Sequence, residues 1–175
     1  MRGRRLRLGI VAAGAAVVAV GVLAFVSYGG TDHSGSTGTQ VRSWASGAGL
    51  GQSIGTLMAD TDRVRAALAR HAGGPVLHTD CAVLVTDAES ANGELPSPDG
   101  QLTTLLSDGY TLAYEAGNDC YDSGGTNPSL IERSTRERIK AEAELEEAVA
   151  LVGQLTHAPL STTTTTQPGG GSILG

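Results

Sequence analysis

From Leu77 onward, apolar side chains recur at steps of four, three, four and three residues: Leu77, Cys81, Leu84, Ala88 and Ala91. At 3.6 residues per turn these positions form one stripe along a helix, whereas a strand would alternate every second residue. One helix cannot bury such a stripe against itself, so the pattern demands partner helices.

The chain supplies them. A segment of about Asp99 to Tyr121 repeats the seam with Leu102, Leu106, Gly109, Ala113, Ala116 and Cys120. An earlier one, about Val41 to His71, carries Ile54, Leu57, Met58, Thr61, Val64 and Leu68. A last one runs to about Thr156 with Leu130, Ile131, Ile139, Leu145, Val149, Val152 and Leu155 inward. Aromatic residues make up only 3% of the chain, which favours helices packed through small and aliphatic side chains over a sheet.

The breaks between segments have mechanisms. "GGP" at Gly73 to Pro75 ends the first segment and opens the second, about Pro75 to Asn92. The two prolines of "NGELPSPDG" cannot sit inside a helix, and Asp99 is placed to cap the next one. "DSGGTNPS" ends the third and offers Asn127 as cap, with Pro128 at the first helical position. "SGAGLGQSIG", within the first segment, is glycine-rich, which means either weak opening turns or close packing. The charged run "RSTRERIKAEAELEEA" reads as a solvated outer face with pairs such as Glu132 and Arg136. The expectation is an all-α fold, an up-down antiparallel four-helix bundle over residues 41–157.

Residues 1–28 carry four arginines followed by an uncharged, mostly apolar run from Leu8 to Tyr28, long enough to span about 30 Å of hydrocarbon. Arginine before the run and none after it until Arg42 orients the amino terminus to the cytoplasm and the rest outside. A single N-terminal transmembrane helix is therefore expected, at the cell membrane with the bundle extracytoplasmic. The alternative is secretion after signal-peptide cleavage, although "LAFVSYGG" offers no convincing small-x-small site. Residues 29–40 read as a flexible Gly/Ser/Thr linker. Residues 158–175, with "STTTTTQPGGGSILG", read as a Thr/Pro/Gly tail that is disordered or O-glycosylated.

Cys81 and Cys120 fall on the seams of the second and third segments, near the start of one and the end of the other. In an antiparallel hairpin the two meet, and an oxidising exterior favours a disulfide between them. A metal is the competing use of "LHTDCAVLVTDAE". His78 and Cys81 share a helical face and Cys120 could join them, but no further His or Cys completes a zinc set, and Asp80, Asp87 and Glu89 point elsewhere. "GAGLGQ" matches neither phosphate-loop spacing, and the chain contains no CxxCH. Met58 and His71 are available as haem ligands, but a core Met at helical spacing is ordinary packing. No catalytic, metal or cofactor residue is assigned, and the chain is expected not to be an enzyme. The net charge of -6 speaks against nucleic acid. Trp44, Tyr110 and Tyr114 are the candidate contact residues. Trp44 either packs over one end of the bundle or anchors to a partner or membrane surface. Tyr110 and Tyr114, one turn apart, either cover the bundle or form a contact patch.

The Arg-rich start with one apolar span, the early Trp44, the pairs Asp80-Cys81 and Asp119-Cys120, and "LPSPDGQL" between the middle segments carry a resemblance. Over about Val41 to Leu155 the chain resembles a group of small exported or membrane-anchored helical proteins of high-GC actinobacteria, for which no activity is known. That resemblance implies a bundle with one disulfide. Together these features point to a membrane-tethered interaction or accessory module of the cell envelope with an envelope protein as partner. The alternative expectation is an exported bundle that binds a small ligand or cofactor.

Overall fold

The computed structural model describes residues 36–72 and 74–162. Within them the chain forms five α-helices and no strand: α1 (Thr37–Gly47), α2 (Leu50–Ala69), α3 (Gly74–Asn92), α4 (Gly100–Ser123) and α5 (Pro128–Thr156). The three later helices match the expected segments to within a few residues. The first expected segment differs, because it is two helices. Gly49 adopts φ 65°, a left-handed conformation that a continuous right-handed helix cannot contain, and the chain turns there before Leu50 begins α2. The glycine-rich opening is thus a corner, and the expected four helices become five.

Helix starts follow the caps read from sequence. The Asp99 carboxylate accepts the Leu102 N–H at 2.8 Å, and Asn127 Oδ1 accepts from Ser129 N at 3.2 Å, with Pro128 in the first turn of α5. Each such cap contributes about 1 kcal/mol. At the end of α2, His71 takes φ 49° while its N–H reaches Leu68 and that of Ala72 reaches Ala67, a Schellman closure with histidine where glycine is usual.

Helices adjacent in sequence pack side by side, with α4 touching α5 and α3 most extensively, α3 also against α2, and α1 lying on α5. Their directions are antiparallel, since the start of α3 meets the end of α4 at Cys81 and Cys120, and Ser134 near the start of α5 donates to the Ala116 carbonyl at 2.8 Å. Leu50, Leu57, Leu84, Leu102, Leu106 and Leu145 are fully buried at the centre. All five seam positions of α3, and all six anticipated on α4, are buried.

The last helix departs from expectation. Its buried stripe is Ser134, Arg138, Ala141, Leu145, Ala148, Val152 and Thr156, while Ile139 is 54% exposed. Counting back from Leu145 by helical steps reaches 141, 138 and 134, so Ile139 cannot share that face. Ser134 and Arg138 occupy it instead, although both lie in the run read as an outer face. Arg138 keeps a partner in Glu142 at 2.5 Å. The Glu132–Arg136 pair does lie on the surface, at 2.6 Å.

The packed chain also reaches past the anticipated limits of the bundle. α1 begins at Thr37, inside the stretch read as linker, and Leu160, from the stretch read as tail, packs against the core. Among the described residues no helix is long and apolar enough to cross a membrane. The expected anchor, Leu8 to Tyr28, and residues 163–175 lie outside the described residues.

Helices α3 and α4 approach closely at Gly117. A Cβ there would stand 2.7 Å from Val85 Cγ2, 3.1 Å from the Cys81 carbonyl oxygen and 3.2 Å from Val85 N. Two of those atoms are backbone and cannot rotate away. Gly117→Ala is therefore expected to lower stability by about 1–3 kcal/mol through forced separation of α3 and α4. Urea unfolding of parent and variant measures it; an unchanged midpoint would show that the two helices part freely.

Candidate functional site

The stretch Leu77 to Glu89 resolves into packing on one side and a ring contact on the other. Leu77, Cys81, Leu84 and Ala88 face the core. Cys81 and Cys120 are both wholly buried and joined by a disulfide, with Cα atoms 5.8 Å apart across a sequence separation of 39. Closing a loop of that length adds about 4 kcal/mol on the chain-entropy account. The bond joins the pair of residues anticipated from their seam positions. His78 lies with its ring stacked on Tyr121, centroids 4.6 Å apart and 28° between planes. Among the described residues no group of three or more His, Cys, Asp or Glu side chains is arranged to hold a metal ion.

A cluster of charge lies between α4 and α5, where the sequence suggested only a solvated outer face for Arg133 and Glu137. Arg133 grips Asp119 in two-pronged fashion, Nε donating to Oδ2 and Nη2 to Oδ1, and its Nε also lies 3.8 Å from Glu137. The Asp119 side chain is only 10% exposed, and the Arg133 hydrogen bond holds its carboxyl below the usual range. Glu137 is displaced the opposite way. Burial raises it first, then the charges of Asp119 and Glu115, and its Oε2 is buried with no hydrogen-bond partner. Arg133 and Glu137 are four apart on one helix, which the sequence displays, but Asp119 is fourteen residues away and joins them only through the turn between helices.

The signs of these shifts set a pH dependence. Asp119, held low, contributes stability above the ordinary aspartate range and loses it as pH falls through its depressed pKa. Glu137, held high, contributes only while protonated and costs stability as pH rises through its raised pKa. Glu137→Gln removes that cost. The variant is expected to be more stable than the parent at pH 7, with the difference closing below about pH 4, where an ordinary glutamate is protonated. Denaturant midpoints at the two pH values read it out, and a variant weaker at pH 7 would mean the 3.8 Å contact with Arg133 outweighs the repulsion.

The three candidate contact residues occupy different settings. Trp44 is partly buried and packed against the core, the arrangement of its packing alternative. Tyr114 is 37% exposed and Tyr121, two turns on, 46%. Tyr110 is only 1% exposed, so the one-turn pair with Tyr114 is divided between interior and surface. Its hydroxyl has no hydrogen-bond partner, and burial, followed by the charge of Glu94, pushes its pKa up. Glu94 is itself raised by burial, against the opposing pull of the Ser53 hydroxyl that donates to it at 3.3 Å. A buried hydroxyl without a partner costs about 1–3 kcal/mol. Tyr110→Phe is accordingly expected to be neutral or stabilising, and Tyr110→Ala to cost about 3–5 kcal/mol. Thermal unfolding of both variants decides this, and a large loss for the Phe variant would reveal a hydroxyl contact essential to the fold.

Asp60 was likewise unforeseen. It is wholly buried on α2, with one oxygen paired to Arg63 and Oδ2 unpartnered. The buried carboxylates Asp60 and Asp119 are thus salt-bridged, and the buried hydroxyls of Ser123, Ser134 and Thr156 donate to backbone carbonyls at 2.7, 2.8 and 2.7 Å. Hydroxyls engaged in this way hold helices in place. No known protein family, curated protein or solved structure matches the chain.

Proposed function

We propose that the chain is a membrane-tethered, extracytoplasmic, non-enzymatic domain that serves as an interaction or accessory module of the cell envelope. In this reading α2 to α5 form an up-down antiparallel bundle, α1 is an accessory helix closing the α2–α5 side, and residues 1–28 supply the anchor. The observation that carries the reading is the uncharged run Leu8 to Tyr28 behind four arginines, ahead of a domain whose only two cysteines are bonded to each other. Disulfides persist in oxidising compartments and are rare in the cytosol, so the bond and the charge order favour the same side of a membrane.

The surface for a protein partner in this reading is the outer face of α4, where Tyr114 and Tyr121 are exposed and His78 stacks on the latter. Aromatic side chains bring large contact area at low entropic cost and are enriched in interfaces. Trp44 and Tyr110 act from within, as packing residues.

Fractionation of cells expressing the full chain tests the tether. The chain is expected to stay with membranes through alkaline carbonate washing, to be digested by protease added outside the membrane, and to carry no alkylatable thiol before reduction. Recovery in the cytosolic fraction with two free thiols would overturn the proposal. Release of a shortened chain into the medium would replace the anchor by a cleaved signal.

A further inference from the structure

A cavity of about 420 Å³ at the α1–α2 corner opens between α1, the start of α2, the end of α5 and the residues that follow it. That volume lies within the range of small-molecule sites, which are typically apolar with a few convergent polar groups. Ala45, Val152, Pro159 and Leu160 supply apolar walls. The cavity's one ionisable lining residue is Arg42, and no carboxylate lines it, although the whole chain carries a net charge of -6.

Arg63, Arg65, Arg133, Arg136 and Arg138 each pair with a carboxylate, whereas among the described residues Arg42, like Arg70, forms no ion pair. Its guanidinium donates through Nη2 to the Thr156 carbonyl, which occupies one of its five donors and leaves its charge uncompensated. On the opposite wall, Gly49 begins α2 without a side-chain cap, and the positive end of that helix's dipole adds to the potential at the same cavity. A cavity with apolar walls, one unpaired guanidinium and no acid selects an anion with an apolar body.

We infer that this cavity is a binding site for a small amphiphilic monocarboxylate, its carboxylate held by Arg42 and its hydrocarbon part against Val152 and Leu160. The inference concerns the cavity alone and is independent of where the chain resides. Affinity for a ligand of this size falls in the millimolar range.

The probe is hexanoate, titrated into the purified full-length chain, with 1-hexanol and hexylammonium as neutral and cationic controls. Trp44, the chain's only tryptophan and the neighbour of cavity-lining Ala45, reports by fluorescence. Saturation transfer to the probe methyl detects the contact directly. Saturable binding of hexanoate, weakened roughly tenfold in Arg42→Gln, with the two controls failing to compete, is the expected result. Val152→Phe, which fills the cavity, is expected to abolish it with the helical circular dichroism unchanged. Since Arg42 is a surface side chain, the Gln variant keeps the test decisive if the Phe variant does not fold. Equal binding of hexanol, unaltered binding to Arg42→Gln, or no saturable response to hexanoate would each overturn the inference.

Discussion

The α3–α4 contact is the constraint on which the rest of the packing depends. The Cys81–Cys120 bond holds the start of one helix against the end of the other with their Cα atoms 5.8 Å apart, and Gly117, one turn before Cys120, lets the backbones approach until a single added carbon would collide. Two independent devices, one covalent and one steric, thus act on the same pair of helices. With α3 and α4 locked at that separation, Leu84, Leu102 and Leu106 have only one interior to fill, and α2 and α5 pack on either flank of the pair.

That geometry explains why α5 turns polar residues inward. Ala116 and Asp119 of α4 offer a carbonyl and a carboxylate at the α4–α5 seam, and Ser134 and Arg133 answer with a hydroxyl and a guanidinium. A seam of leucines there would leave the Asp119 carboxylate without its counter-charge, and an unpaired buried carboxylate is costly. The tension remains in Glu137, whose Oε2 lies buried and unpaired beside Asp119 and Glu115.

The two-pronged Arg133–Asp119 pair lies between packed helices, while the cavity at the α1–α2 corner holds a single unpaired cation beside apolar walls. The corner exists because α1 swings away at Gly49 to lie on α5, which leaves the end of α1, the start of α2 and the end of α5 converging without filling the space between them. The residues after α5 close one side, with Leu160 packed on the core.

The sequence by itself determined the helical class, the seams of α3 and α4, the caps at Asp99 and Asn127, and the pairing of the two cysteines. Each of these is local or follows from a single periodicity, because a stripe at helical spacing can be buried in few ways. The tertiary structure alone decided the division at Gly49, since glycine tolerates either a continuous helix or a left-handed corner and only packing against α5 selects between them. It also decided that Ile139 points outward while Arg138 and Ser134 point inward, because the phase of α5 is set by its neighbours across 14 to 18 residues of chain rather than by its own hydrophobicity. The burial of Tyr110 and Asp60, and the meeting of Asp119 with Arg133 and Glu137, were decided in the same way. Burial of a polar group depends on the partner that meets it, and the partner's position is a property of the fold.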